Sequence, residues 1–289
     1  MSKLSTFQGQ WHGRPAGELR ASCEVRIQTA PVLAFLISLL ASGCAFSQAA
    51  NQLTPVQQKI AQQKQRLTSD NVEQRRDALM QLGAIKHPEA SRAAATGLND
   101  PDPIVRVTAA HAITSLPGSE AVPLLVPQLK DKSEFVRREM ASALGETRSR
   151  SAVQPLTEVL ASDKEVSVRT AAAVALGEIG DEAAVPALAR TISGVSPAKK
   201  SKKREDDFVV RSAAQSLGKI RSRAGVEVLL AALTDETNSP DVRRAAAEAL
   251  GLIGDPSATT ALQKSVSASD PYLSAAAKEA LRRLRLAKN

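Results

Sequence analysis

The sequence predicts an all-α protein, a right-handed α-solenoid (superhelix) of about six helical hairpins plus terminal capping helices. Three observations carry this expectation. A segment of the form Val-Arg-x-x-Ala-x-x-x-Leu-Gly recurs, most plainly at 136–145, 168–177 and 242–251. Its Leu position forms a series of anchors, Leu82, Ile113, Leu144, Leu176, Leu217, Leu250 and Leu281, at intervals of 31, 31, 32, 41, 33 and 31 residues. A period so regular, broken once, is the signature of stacked repeats. Finally, the chain is 43% hydrophobic but only 2% aromatic, so its interior must be built from Ala, Leu, Val and Ile, which suits closely stacked helices.

The first element is a leader, residues 1–49. No charged residue occurs from Ile27 to Gln58, and the apolar run from Pro31 to Ala41 follows Arg26. It falls short of the roughly 20 apolar residues of a membrane-spanning helix and fits the core of a signal peptide. Ser47-Gln48-Ala49 puts small residues where a signal peptidase reads, so cleavage is expected between Ala49 and Ala50. A rival site is Leu40-Ala41-Ser42-Gly43-Cys44, which resembles a lipoprotein processing box with its Leu one position too far upstream; Cys44 is the alternative lipidation site. Residues 1–24 form a long, mixed n-region that also fits a misassigned start.

Residues 50–69 are expected to form an N-terminal capping helix, opened by Thr54-Pro55 and amphipathic through Val56, Ile60 and Leu67. The solenoid follows at 70–289. Eight before successive anchors stand Val105, Val136, Val168, Val209, Val242 and Leu273, and four before, mostly Ala, which together make one helical stripe. The Gly after the anchor (Gly83, Gly145, Gly177, Gly218, Gly251) is expected to end this first helix in a left-handed conformation. A second stripe follows in constant phase, Val122/Leu125/Leu129, Val153/Leu156/Leu160, Val185/Leu188/Ile192 and Val226/Leu229/Leu233. Pro123 and Pro186 are placed near the start of this second helix, and Asp100, Asp131, Asp163 and Asp235 are expected to cap the next first helix. The 41-residue interval holds a basic insertion loop at 196–207. Arg282, Arg283 and Arg285 keep the last face wet.

The pattern Asp-x-x-x-x-Val-Arg-x-x-Ala-x-x-x-Leu-Gly-x-Ile-Gly resembles the HEAT repeat over about residues 70–286, especially its short variant in phycobilisome lyases. The resemblance implies a ladder of Asp and Arg six residues apart: Asp100 with Arg106, Asp131 with Arg137, Asp163 with Arg169. These charges then read as structural. One enzyme with such repeats, deoxyhypusine hydroxylase, holds iron through His-Glu pairs. The equivalent positions here are Arg76-Asp77, Val107-Thr108, Arg138-Glu139, Thr170-Ala171, Arg211-Ser212 and Arg244-Ala245, with no histidine in any of them. A bilin lyase-like or chromophore-binding protein remains the enzymatic alternative that the resemblance raises.

Chemistry is otherwise sparse. After removal of the leader the chain keeps His87 and His111, neither with a metal-spaced partner in its own helix, and no cysteine. No catalytic, cofactor-binding or metal residue is assigned, and no cofactor is expected. The net charge of +8 becomes +6 when the leader takes four basic and two acidic residues with it, too moderate to choose a partner. Lys199, Lys200, Lys202, Lys203 and Arg204 form either a solvated loop or a basic finger for an anionic surface. Nucleic acid is not expected, because no aromatics interleave the run and export separates it from the genome. Phe135, Phe208 and Tyr272 all fall nine before an anchor, a register shared by Ile104. They either pack against the preceding repeat or form a partner-binding ridge. The expected function is an exported, non-catalytic protein-interaction scaffold acting on an unknown protein partner. It is expected to be a monomer, in the bacterial periplasm or secreted, or a lipid-anchored adaptor if Cys44 is modified.

Overall fold

The computed structural model describes residues 53–194 and 203–286, with side chains from 207 onward in the second stretch. The chain divides into two units between Leu53 and Thr54; the second is the subject below. The expected leader, with Cys44, Ala49 and Ala50, lies outside the described residues.

Fourteen α-helices and no strand occur among the described residues. Helix α1 (Pro55–Arg66) opens on the expected Thr54, whose hydroxyl accepts from the Gln57 amide while the Gln57 side chain accepts from the Thr54 amide. This reciprocal pair satisfies two donors that a helix start leaves over. First helices are α2 (Val72–Ile85), α4 (Pro103–Ile113), α6 (Glu134–Glu146), α8 (Val166–Ile179), α10 (Lys203–Ile220), α12 (Pro240–Ile253) and α14 (Pro271–Leu286). Between them run second helices α3 (Pro88–Ala94), α5 (Gly118–Leu125), α7 (Val153–Ser162), α9 (Val185–Ile192), α11 (Val226–Thr234) and α13 (Thr259–Ser265). Six hairpins, a leading cap and a closing half-repeat result. The anchors from Leu82 to Leu250 are fully buried with their flanking alanines, and the second-helix leucines Leu125, Leu156, Leu188, Leu229 and Leu262 join them in one continuous core.

Three local expectations are corrected. The glycines after the anchors lie inside their helices, which run on for one or two more residues. A left-handed residue instead stands four after the anchor: Lys86, Arg148, Gly180, Arg221 and Gly254. The anchor glycines allow close approach. A Cβ on Gly251 would lie 2.7 Å from the Ala280 Cα, one on Gly218 2.8 Å from that of Ala249, and one on Gly145 2.8 Å from that of Ala175. Neighbouring first helices therefore touch backbone to backbone, which only a residue without a side chain permits. Pro123 is not near a helix start, since α5 begins at Gly118 and carries it inside. The next proline, Pro127, cannot donate an amide, and there the α-helix passes into a 3₁₀ turn, Val126–Lys130, which carries Leu129. The Asp residues are not N-caps of the first helices: the caps are Asp102, Ser133, Glu165 and Ser239. Asp100, Asp131 and Asp163 each accept, through Oδ1, the amide two residues on, at 2.8 to 2.9 Å, a tight turn that sets the entry to the next helix.

Residues 203–207, read as the end of the insertion loop, form the start of α10, the longest described helix at 18 residues. The run Lys203 to Asp207 is rich in good helix formers and contains neither Gly nor Pro, so nothing stops the helix from growing back into it. No described helix is long and apolar enough to cross a membrane.

Candidate functional site: an aromatic and arginine ridge

The turn aspartates point their carboxylates backward, at the arginine of the preceding hairpin. Arg75 Nε lies 2.7 Å from Asp100 Oδ2 and its Nη2 donates to Oδ1 at 2.9 Å. Arg137 grips Asp163 in the same way at 2.7 and 3.0 Å. Between them Arg106 Nη2 donates to Asp131 Oδ1 at 3.0 Å, while its Nε sits 2.8 Å from Oδ2 without a hydrogen-bond angle. Nη1 of Arg106, Arg137 and Arg169 donates to the backbone carbonyls of Asp100, Asp131 and Asp163, at 2.7, 3.0 and 2.8 Å. The pairs six apart are thus joined through the backbone, and the carboxylate rungs connect one hairpin to the next.

These rungs are 7 to 11% exposed. Burial pushes the Asp100 and Asp163 carboxyls up, but hydrogen bonds from Arg75 and Arg137, from the turn amides, and nearby positive charge outweigh it, so both titrate below the ordinary range. Ionised, planar and bidentate, such a rung is a register device rather than a reactive group.

After the insertion the register is interrupted, although Arg243 still donates from Nε to the Leu233 carbonyl at 3.0 Å and Asp235 still accepts the Thr237 amide at 2.8 Å. Seven before the anchor, where Arg75, Arg106, Arg137 and Arg169 stand, the fifth unit has Val210. A different set of residues occupies the outside of the first helices instead. Phe208 is 54% and Tyr272 67% exposed. The Arg211 guanidinium lies 5.2 Å from the Phe208 ring centre, and Arg244, from the hairpin before, lies 5.2 Å from that of Tyr272. Arg211 is 3.8 Å from Asp241, Arg244 is paired with Asp241, and Arg244 is 3.8 Å from Asp270. Phe208, Arg211, Asp241, Arg244 and Tyr272 thereby form one ridge across α10, α12 and α14. Large exposed aromatics held by cation–π contacts keep a fixed, apolar contact surface with few rotamers to freeze, the profile of an interface anchor.

The three aromatics singled out from sequence separate here. Phe135 is half-buried against the core with Arg138 5.4 Å from its ring centre, and so fits the packing alternative. Phe208 and Tyr272 stand out. Lys199, Lys200 and Lys202 lie outside the described residues; Lys203 and Arg204 belong to the first turn of α10, their side chains outside the description. Sequence reasoning missed Arg211 and Arg244. Their signal was present, since Arg76, Arg138, Arg211 and Arg244 all fall six before an anchor, but those positions were weighed only as iron ligands. It also missed the acidic neighbours of His111, because they come from the next hairpin: Glu139 at 3.4 Å and Glu146 at 3.5 Å. His87 caps α3, its Nδ1 accepting from the Glu89 amide at 3.3 Å. Among the described residues no group of three His, Cys, Asp or Glu side chains is placed to hold a metal.

Hairpins stacked through anchors, interlocked glycines and charged rungs define an α-solenoid offering its outer surfaces. The profile of HEAT repeats matches residues 60–143, 122–194 and 199–282, and the chain belongs to the HEAT-repeat family. No match was found among curated proteins. Among solved structures, the YibA protein of Escherichia coli is similar at 20% identity and a TM-score of 0.52, over 79% of this chain and 82% of that one. The CpcE–CpcF complex of phycocyanin lyase from Nostoc sp. PCC7120 is 25% identical with a TM-score of 0.46, covering 82% and 89%. Human deoxyhypusine hydroxylase in complex with glycerol is 21% identical with a TM-score of 0.39, covering 80% and 97%. The likeness to YibA bears on the fold alone.

Proposed function

We propose that the chain is an exported protein-interaction scaffold that works without catalysis and recognises its partner through the ridge on α10, α12 and α14. The observation that carries this reading is the exposure of Phe208 and Tyr272 beside Arg211 and Arg244. Aromatic and arginine side chains dominate the energetics of protein interfaces, and two rings left open to water on a rigid stack cost solvation that a partner would recover. A solenoid supplies a long surface on which such anchors keep fixed spacing.

The test is affinity capture from a native cell envelope with the wild-type solenoid and with Phe208→Ala/Tyr272→Ala. Capture that drops at least tenfold in the double variant, with an unchanged melting temperature, supports the ridge. Equal capture by both proteins rejects it. Export has its own measurement, the mass of the mature N-terminus. A chain beginning at Ala50 supports a free exported protein, and a lipidated Cys44 supports an anchored adaptor. Saturable binding of a bilin by the purified solenoid would favour the lyase-like alternative over the scaffold.

A further inference from the structure

Each inner first helix receives the next one beside its anchor: the next helix's backbone closes on the position one after it, and the Ser216 hydroxyl reaches the Ala173 carbonyl three before it. Three before stand Leu79, Ala110, Ala141, Ala173, Ala214 and Ala247, all fully buried. One after stands Gly in five of the six units, and there the neighbour's backbone comes within contact distance, as Ala280 does on Gly251. On α14 the same three positions are Lys278, Leu281 and Arg282. Lys278 and Arg282 are exposed, and Leu281 is the one anchor left half-buried. With Val266, Arg285 and Leu286 they line a shallow cavity of about 510 Å³, and Leu286 is 61% exposed.

This face keeps the shape that receives a helix but changes its chemistry. A helix stacking there as the inner ones do would bury long cations where Ala and Gly normally sit, a strong penalty without counter-charges. Arg282 already shares Glu279 with Arg283, and hydrogen bonds from Arg282 and then Arg283 hold that carboxyl at about 2. Among the described residues Lys278 and Arg285 have no carboxylate partner. A second copy offering its α1 end does not complement them, since α1 carries Lys59, Lys64 and Arg66 and no acidic residue.

We infer that the exposed face of α14 docks an amphipathic helix of a partner protein, seating its apolar stripe on Val266, Leu281 and Leu286 and its acidic residues against Lys278 and Arg285. This is a second interaction surface, separate from the aromatic ridge, and does not depend on it.

The test uses the full chain and a labelled synthetic 18-residue helical peptide with Leu at i, i+3, i+4 and i+7 and Glu elsewhere, followed by fluorescence anisotropy. Saturable binding is expected, weakened at least tenfold by Lys278→Ser/Arg285→Ser and at least threefold by Leu286→Ser. Charge reversal, Lys278→Glu/Arg285→Glu, should transfer binding to the same peptide carrying Lys in place of Glu. Lys59→Ser/Lys64→Ser and Phe208→Ala/Tyr272→Ala should leave binding unchanged, so loss of the ridge reading and loss of this one are told apart. The inference is overturned if the Lys peptide binds the wild type as well as the Glu peptide does, or if the α14 variants bind unchanged. It is equally overturned if phosphatidylglycerol vesicles, and not the peptide, are captured in a Lys278- and Arg285-dependent way.

Discussion

The first four units and the last three solve the same stacking problem with different charges. From α2 to α8 the hairpins are joined by buried Arg75–Asp100, Arg106–Asp131 and Arg137–Asp163 rungs. From α10 to α14 the inter-hairpin ion pairs are longer and more exposed, with Arg211–Asp241 and Arg244–Asp270 at 3.8 Å and 22 to 53% exposed and Arg223–Asp255 at 3.6 Å with Arg223 81% exposed. The apolar interlock is common to both parts, with anchors fully buried up to Leu250 and glycine against the neighbouring helix on either side of the insertion. The comparison teaches that apolar packing builds the stack, while polar residues are free to fix register in one part and to shape an exposed surface in the other.

The largest expected effect comes from orphaning a rung. Arg137→Ala leaves Asp163 buried without its partner and should cost about 3 to 5 kcal/mol, read as a fall in urea midpoint; a loss under 1 kcal/mol would erase the distinction between the two parts. Gly251→Ala should cost about 1 to 3 kcal/mol despite the better helix propensity of Ala, because the added Cβ meets the Ala280 backbone at 2.7 Å. Gly83→Ala, with its nearest contact at 3.2 Å, should cost less, and equal losses would show that close approach is not the reason for these glycines.

Acid should find the first part preferentially. Asp100 and Asp163 are held below the ordinary carboxylate range, so the stability they contribute is fully present above about pH 4 and is lost as pH falls through their lowered folded values. Glu279 on α14 and Asp255 beside α12 are also held low, but their pairs with Arg282, Arg283 and Arg223 are open to solvent and contribute little. Hydrogen exchange in α2 to α8 should therefore accelerate more than in α12 and α14 between about pH 4 and pH 2; the reverse order would contradict the rung assignment. The smallest effect is on the ridge: Arg211→Ala should change stability by under about 1 kcal/mol while reducing partner capture, which separates surface function from structure.

Much of this was legible in the residues. The anchors, the two helical stripes and the Thr54 cap follow from spacing alone, because a helix repeats its environment every three to four residues. What the first helix does with its glycine was misread, since a glycine at a helix end and one under a neighbouring backbone look alike in a single chain. The Asp rungs were recognised, but their direction was not. A carboxylate can turn to its own helix or to the hairpin before it, and only the distance between hairpins selects. Of the three aromatics in one register, Phe135 is half-buried and packed on the core whereas Phe208 and Tyr272 are exposed, a difference that their common spacing could not express.

By itself, then, the sequence determined the family, the number of units and the composition of the core, because these depend on periodicity within about 30 residues. The tertiary structure alone decided which charges are buried as rungs, that Arg244 reaches the ring of Tyr272 one hairpin on, and that Lys278 and Arg282 occupy a helix-receiving face. Those outcomes depend on contacts between residues in different hairpins, whose geometry is set by how closely the helices stack and is written in no local pattern.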